Sequence, residues 1–260
     1  MTRKFAKAFA GPAIALAMGV ALSGCGFSGN WKSVEGVPLA ELDMTGDAPT
    51  EIALAGPDKV EITEGDTLSI TLEGDAEAGA ALRFDRDGDT LNIARDNEAY
   101  DGRGTAIVKI SMPAASHLSI AGSGSIAADT MASDAEIDIA GSGDVTVASI
   151  TAEELDIDIA GKGNVTAAGT TGRLSVGIAG SGDVRFADLM ADDVEIDIAG
   201  SGDVALASNG SVKASIAGSG DIVVTGSATC SLDSAGSGTL TCRPAAATAD
   251  AAATEEAAAE

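Results

Sequence analysis

The chain has 260 residues, with 15 Lys and Arg against 40 Asp and Glu, a net charge of −25 and a pI near 4.1. That charge repels nucleic acid and anionic membrane surfaces, and one histidine and three cysteines leave most catalytic metal and thiol chemistries without residues. Hydrophobic residues reach 45% but aromatics only 3%, so a core must be built from Ile, Val, Leu and Ala in thin layers, which suits a regular stacked architecture.

Arg3, Lys4 and Lys7 form a basic start, followed by an apolar run from Ala8 to Leu22 that is too short to span a membrane comfortably. The run ends in Leu22-Ser23-Gly24-Cys25, which resembles the bacterial lipobox. The resemblance implies cleavage before Cys25 and acylation of its sulfur and new N-terminus. Residues 1–24 are thus expected to be a lipoprotein signal peptide and 25–37 a lipidated linker that carries Trp31. Two or three acyl chains make a stable anchor. Gly26, in place of Asp after the cysteine, resembles Gram-negative lipoproteins sorted to the outer membrane. Loss of three basic residues would take the net charge from −25 to −28, and export places the remainder in an oxidising compartment.

Residues 38–113 predict degenerate rungs capping a repeat stack. Strands are expected at Glu51 to Ala55, Val60 to Thr63, Leu68 to Leu72, Leu82 to Phe84, Thr90 to Ala94 and Thr105 to Met112. Turn signals such as Gly56-Pro57-Asp58 separate them.

Residues 114–243 are a repeat. Ala121-Gly122-Ser123-Gly124 recurs from Ala140, Ala160, Ala179, Ala199, Ala217 and Ala235, with Lys162 the only replacement of the serine. The first glycines are spaced 19, 20, 19, 20, 18 and 18 residues apart, a solenoid period. Runs such as Ile137-Asp138-Ile139 before the turn and Val145-Thr146-Val147 after it alternate with period two, so each reads as a strand with one buried face. Stacked in parallel at about 4.8 Å per rung, seven copies give a column of about 34 Å. Alignment puts Ile139, Ile159, Ile178, Ile198 and Ile216 in one inward ladder, and Val145, Val165, Val184, Val204 and Ile222 in a second. The alanine before each turn is expected to fill a tight corner, and segments such as Ala148 to Glu154 to be loose connectors. The fold expected is an all-β, single-chain parallel β-helix. Antiparallel hairpins, one per turn, are the alternative. Residues 244–260, rich in Ala, Thr, Asp and Glu, predict a disordered acidic tail.

The lipobox, the stretch Ile52 to Val60 and the train of Ala-Gly-Ser-Gly-Asp motifs together resemble the bacterial head-GIN-domain family of autotransporter adhesin heads. The resemblance covers about residues 38–243. It implies a right-handed parallel β-helix exported from the cell, and no enzyme activity or cofactor.

Three sets of residues are candidates for chemistry. Asp144, Asn164, Asp183, Asp203 and Asp221 follow their turns in one column, and Asp138, Asp158, Asp197 and Asp233 stand in another. Like charges about 5 Å apart repel by roughly a kcal/mol even in water, so calcium could relieve them through Asp144, Asp183, Asp203 and Asp221. The alternative is that each caps its own turn. Cys230 and Cys242 lie six residues either side of Gly236 at inward positions of the last rung, and are expected to form a disulfide. His117, before the first regular turn, reads as a rung-edge residue rather than a general base.

The function expected is a non-enzymatic, lipid-anchored envelope protein, held at the membrane through Cys25 and offering a repetitive surface to a glycan or protein ligand. A periplasm-facing lipoprotein with cation-dependent stability or a role in stress signalling is the second reading. A polysaccharide-acting enzyme is the third; it rests on fold analogy, and Trp31 and Tyr100 are the only Trp and Tyr available to stack on sugar.

Overall fold

A run that alternates apolar and polar residues buries its apolar face only when other runs close around the same interior, and here each run has a copy about 19 residues away. The computed structural model describes residues 36–96, 98–99 and 102–244. The copies stack in parallel as a β-solenoid. The expected signal peptide (1–24), the part of the expected linker that holds Cys25 and Trp31, and Tyr100 and residues 245–260 lie outside the described residues.

Chain order and column order differ at the start. β1 (Glu51–Gly56) and β2 (Lys59–Glu64) make the first rung the chain traces. Next come β3 (Ser69–Gly74), the short helix α1 (Ala76–Ala80) and β4 (Leu82–Asp87), then β5 (Thr90–Arg95) and β6 (Ala106–Met112). β5 pairs in parallel with β1, and β6 with β2. β4 and β3 pair antiparallel with β5 and β6, closing that end of the column. The chain then crosses to the other side of the first rung, where β7 (Ala115–Gly122) lies on β1 and β8 (Ser125–Ala128) on β2.

From there each rung lies on the one before. β9 (Met131–Gly141) follows β7, and β10 (Asp144–Gly161) lies on β8 and β9. β11 (Asn164–Gly180), β12 (Asp183–Gly200) and β13 (Val204–Gly218) continue the stack. β14 (Asp221–Thr225), β15 (Thr229–Gly236) and β16 (Thr239–Arg243) end it, with β14 and β15 on β13 and β16 on β14.

Both predicted ladders are in register. Ile139, Ile159, Ile178, Ile198 and Ile216 stack one on the next, as do Val145, Val165, Val184, Val204 and Ile222, and all ten are buried. Each run around a Gly-Ser-Gly turn pairs with its copy in the adjacent rung, so the hairpin alternative does not hold. The glycines explain the tolerance for close stacking. Gly161 has φ +138, and a Cβ there would collide with the carbonyl of Gly141 one rung below.

Three expectations are corrected. β3, β4 and α1 are not rungs, because alternation encodes a buried face and not the direction of pairing, and five helical residues are too few to show a 3.6-residue period. Ala148 to Glu154 is strand, not loose connector; β10 absorbs the bend as a register shift between Val147 and Ile150. The alanines before the turns point outward and are exposed at Ala140, Ala160, Ala179, Ala199 and Ala217, so no tight corner selects them.

The Gly56-Pro57-Asp58 turn stands where later rungs have Gly-Ser-Gly, and it is fixed by charge. Asp58 is fully buried and Arg95 nearly so. Arg95 donates from Nε to Asp58 Oδ2 at 2.9 Å and from Nη2 to Oδ1, and the Ala106 amide donates to Oδ1 at 2.8 Å. At the opposite end Cys230, stacked on Val212, and Cys242, stacked on Val224, form a disulfide with Cα atoms 6.7 Å apart. Among the described residues no helix is long and apolar enough to cross a membrane.

Candidate functional site

The outward side of the sheet formed by β1, β7, β9 and β10 collects acidic side chains around the single histidine. Register dictates this. Glu51 pairs with His117, His117 with Glu136 and Glu136 with Asp156; two residues along, Ser119 pairs with Asp138 and Asp138 with Asp158. Leu118, Ile120, Ile137, Ile139, Ile157 and Ile159 alternate with these positions and fill the core, which leaves the polar set no choice of face.

A groove of ≈ 190 Å³ opens here, lined by Glu51, His117, Asp134, Glu136, Glu154 and Asp156 among others. The His117 side chain is only 14% exposed. Its Nε2 lies 3.1 Å from Asp138 Oδ2, and its Nδ1 lies 3.9 Å from Glu51 Oε2. Thr90 Oγ1 donates to that same Glu51 oxygen at 2.7 Å.

The electrostatics follow from the crowding. The hydrogen bond to Asp138 raises the His117 pKa, and the charges of Glu136, Asp138 and Glu51 add to it against partial burial. Burial raises the Glu136 carboxyl; Asp138, Asp156 and Asp158 push it the same way, and His117 opposes. Asp158 is raised by burial first, then by Asp138 and Asp156. Chemically, the groove is a partly desolvated anionic surface with one proton-carrying nitrogen. Ser116, beside the histidine in sequence, directs its hydroxyl to the Thr50 carbonyl at 3.2 Å.

The other sequence-derived candidates are placed differently. In the turn column, carboxylates serve the next rung: Asp183 Oδ1 accepts from the Asp203 amide at 3.3 Å, Asp203 Oδ1 from the Asp221 amide at 2.9 Å, and Asp221 Oδ1 from Thr239 Oγ1 at 2.7 Å. Asp144 Oδ1 accepts from Asn164 Nδ2 at 2.7 Å. In the second column Gly177 and Ser215 interrupt the acids, so only Asp138 and Asp158 are direct neighbours. His117, expected as a rung-edge residue, stands where β7 comes into register with β9, opposite Glu136, and the signal for that pairing was available: 117 plus one period of 19 is 136.

Comparison with known proteins agrees with this architecture. The model of the family described as "Putative auto-transporter adhesin, head GIN domain" matches residues 48–228. A solved structure described as a putative adhesin from Bacteroides fragilis has a TM-score of 0.67 at 21% identity, covering 76% of this chain and 93% of that one. Another, described as a putative lipid binding protein from Parabacteroides distasonis, has a TM-score of 0.58 at 24% identity over 76% and 93% of the two chains. At these identities the likeness is one of fold. No curated protein matches the sequence. With well over half of its length covered by the family model, and with the same solenoid fold in its solved neighbours, this chain belongs to the head-GIN-domain family of auto-transporter adhesin-like proteins.

Proposed function

We propose that the chain is an exported, lipid-anchored envelope protein whose solenoid acts as a non-enzymatic, adhesin-like binding surface. The observation that carries this reading is the in-register stacking of outward side chains. Rows such as Asp144, Asn164 and Asp183, or Thr146, Thr166 and Arg185, repeat from rung to rung on a rigid sheet. A repeated row of weak polar contacts suits a polymeric or repetitive ligand, because each further contact is made at high effective concentration. Membership of the adhesin-like family supports a surface or exported protein, and the Leu-Ser-Gly-Cys25 motif supports attachment through acyl chains.

Protease shaving of intact cells expressing the tagged protein, with lysed cells as control, tests exposure. Cleavage in intact cells is expected, with release of the protein from the membrane fraction by Cys25→Ser. Protection until lysis would remove the adhesin reading and favour a periplasm-facing role, for which the acidic groove around His117 is the feature to pursue.

A further inference from the structure

We propose that His117, Glu136 and Asp138 form a binding site for a divalent first-row transition ion of the Zn²⁺ type, formed by two adjacent rungs of the solenoid. One donor atom from each residue, the imidazole nitrogen and two carboxylate oxygens, lies within 4.8 Å of the other two. A zinc ion sits about 2.0–2.2 Å from nitrogen and oxygen ligands, so side-chain rotation alone closes the set around one ion. The backbone needs no movement, because β7 and β9 hold His117 opposite Glu136 and Ser119 opposite Asp138 in a parallel ladder that runs in register from His117 to Gly122.

The nitrogen separates this cluster from the aspartate columns. Carboxylates alone suit calcium or magnesium, whereas an imidazole among carboxylates suits zinc and its first-row neighbours. The surroundings fit as well. With Nε2 turned to the ion, Nδ1–H faces Glu51, which Thr90 already orients; a carboxylate on the far nitrogen is the usual second-layer support of a metal-bound histidine. Asp134, Glu154 and Asp156 line the same groove and raise the local cation concentration, while the open side admits water to complete the coordination. The site does not depend on where in the envelope the protein is displayed.

The test uses the full-length protein purified in detergent and stripped with chelator. Titration with zinc chloride is expected to show one equivalent bound in the micromolar range, with a rise in Tm. Cobalt(II) is expected to give d–d absorption bands that zinc abolishes. His117→Gln and Asp138→Asn should each weaken zinc binding by at least about tenfold, whereas Asp144→Asn and Asp221→Asn leave it unchanged. Should His117→Gln lose its β circular dichroism, Glu136→Gln at an exposed position carries the same test. Three results would overturn the proposal: no binding up to millimolar zinc, binding unaffected by both His117→Gln and Glu136→Gln, or calcium binding as tightly as zinc.

Discussion

Gly180 illustrates how little freedom a stacked turn leaves to a single residue. Its φ is +142, and a Cβ there would meet the carbonyl of Gly161 in the rung below. Gly180→Ala adds backbone strain to a clash that cannot be relieved by moving a side chain, and is expected to cost about 2–4 kcal/mol in chemical denaturation. An unchanged midpoint would mean that the rungs slide apart easily. Arg95 is a second residue of this kind. Asp58 has no exposed surface, and Arg95 supplies its charge partner. Arg95→Ala leaves that carboxylate buried with the Ala106 amide, and is expected to destabilise by about 3–5 kcal/mol. If the variant unfolds at the wild-type denaturant concentration, the pair is not holding the first turn.

At the scale of elements, the two ends of the column are closed by different means. At one end β3 and β4 turn antiparallel and α1 packs against β3 and β6, with Ala78 buried and Asp75 accepting from the amides of Glu77 and Ala78. At the other, the inward positions of β15 and β16 are only partly covered: Leu232 is 41% exposed, and Ser234 continues the isoleucine ladder above Ile216. The end rung of a solenoid has one neighbour instead of two, so fraying starts there. The Cys230–Cys242 bridge closes a short loop across that rung and is expected to stabilise it by about 3 kcal/mol in the chain-entropy model. Cys242→Ser should lower Tm and raise amide exchange first in β15 and β16. Uniform exchange across all rungs would show that the bridge does not act on the end.

Over the whole molecule, charge sets the response to pH. The net charge of −25 favours expansion as carboxylates ionise, and the His117 groove sharpens the effect. The His117 pKa is raised above its ordinary value of 6.5 in the fold, so its stabilisation is present below 6.5 and is lost as pH rises through the folded pKa. Glu136 and Asp158 are also raised, so each opposes folding once ionised and ceases to do so as pH falls through its folded value. Both effects have the same sign. Tm is expected to rise from about pH 8 towards about pH 5, with His117→Gln losing part of the rise. A variant with the wild-type pH profile would remove His117 from the account.

The repeat period alone determined the solenoid, because a spacing near 19 and period-two alternation admit few other ways to bury Ile139, Val145 and their copies. It also set the pairing of Cys230 with Cys242, whose inward parity follows from position in the repeat. The cluster at His117 was half legible: the period puts Glu136 opposite it, but Asp138 comes into reach only through a diagonal across two strands, and Glu51 only because β1 is inserted beside β7. That insertion, the antiparallel β3 and β4, and the Asp58–Arg95 pair were decided by the tertiary structure. Alternation specifies which face of a strand is buried; which neighbour lies beside it, and in which direction, is settled only when the backbone hydrogen bonds of the whole column are satisfied together.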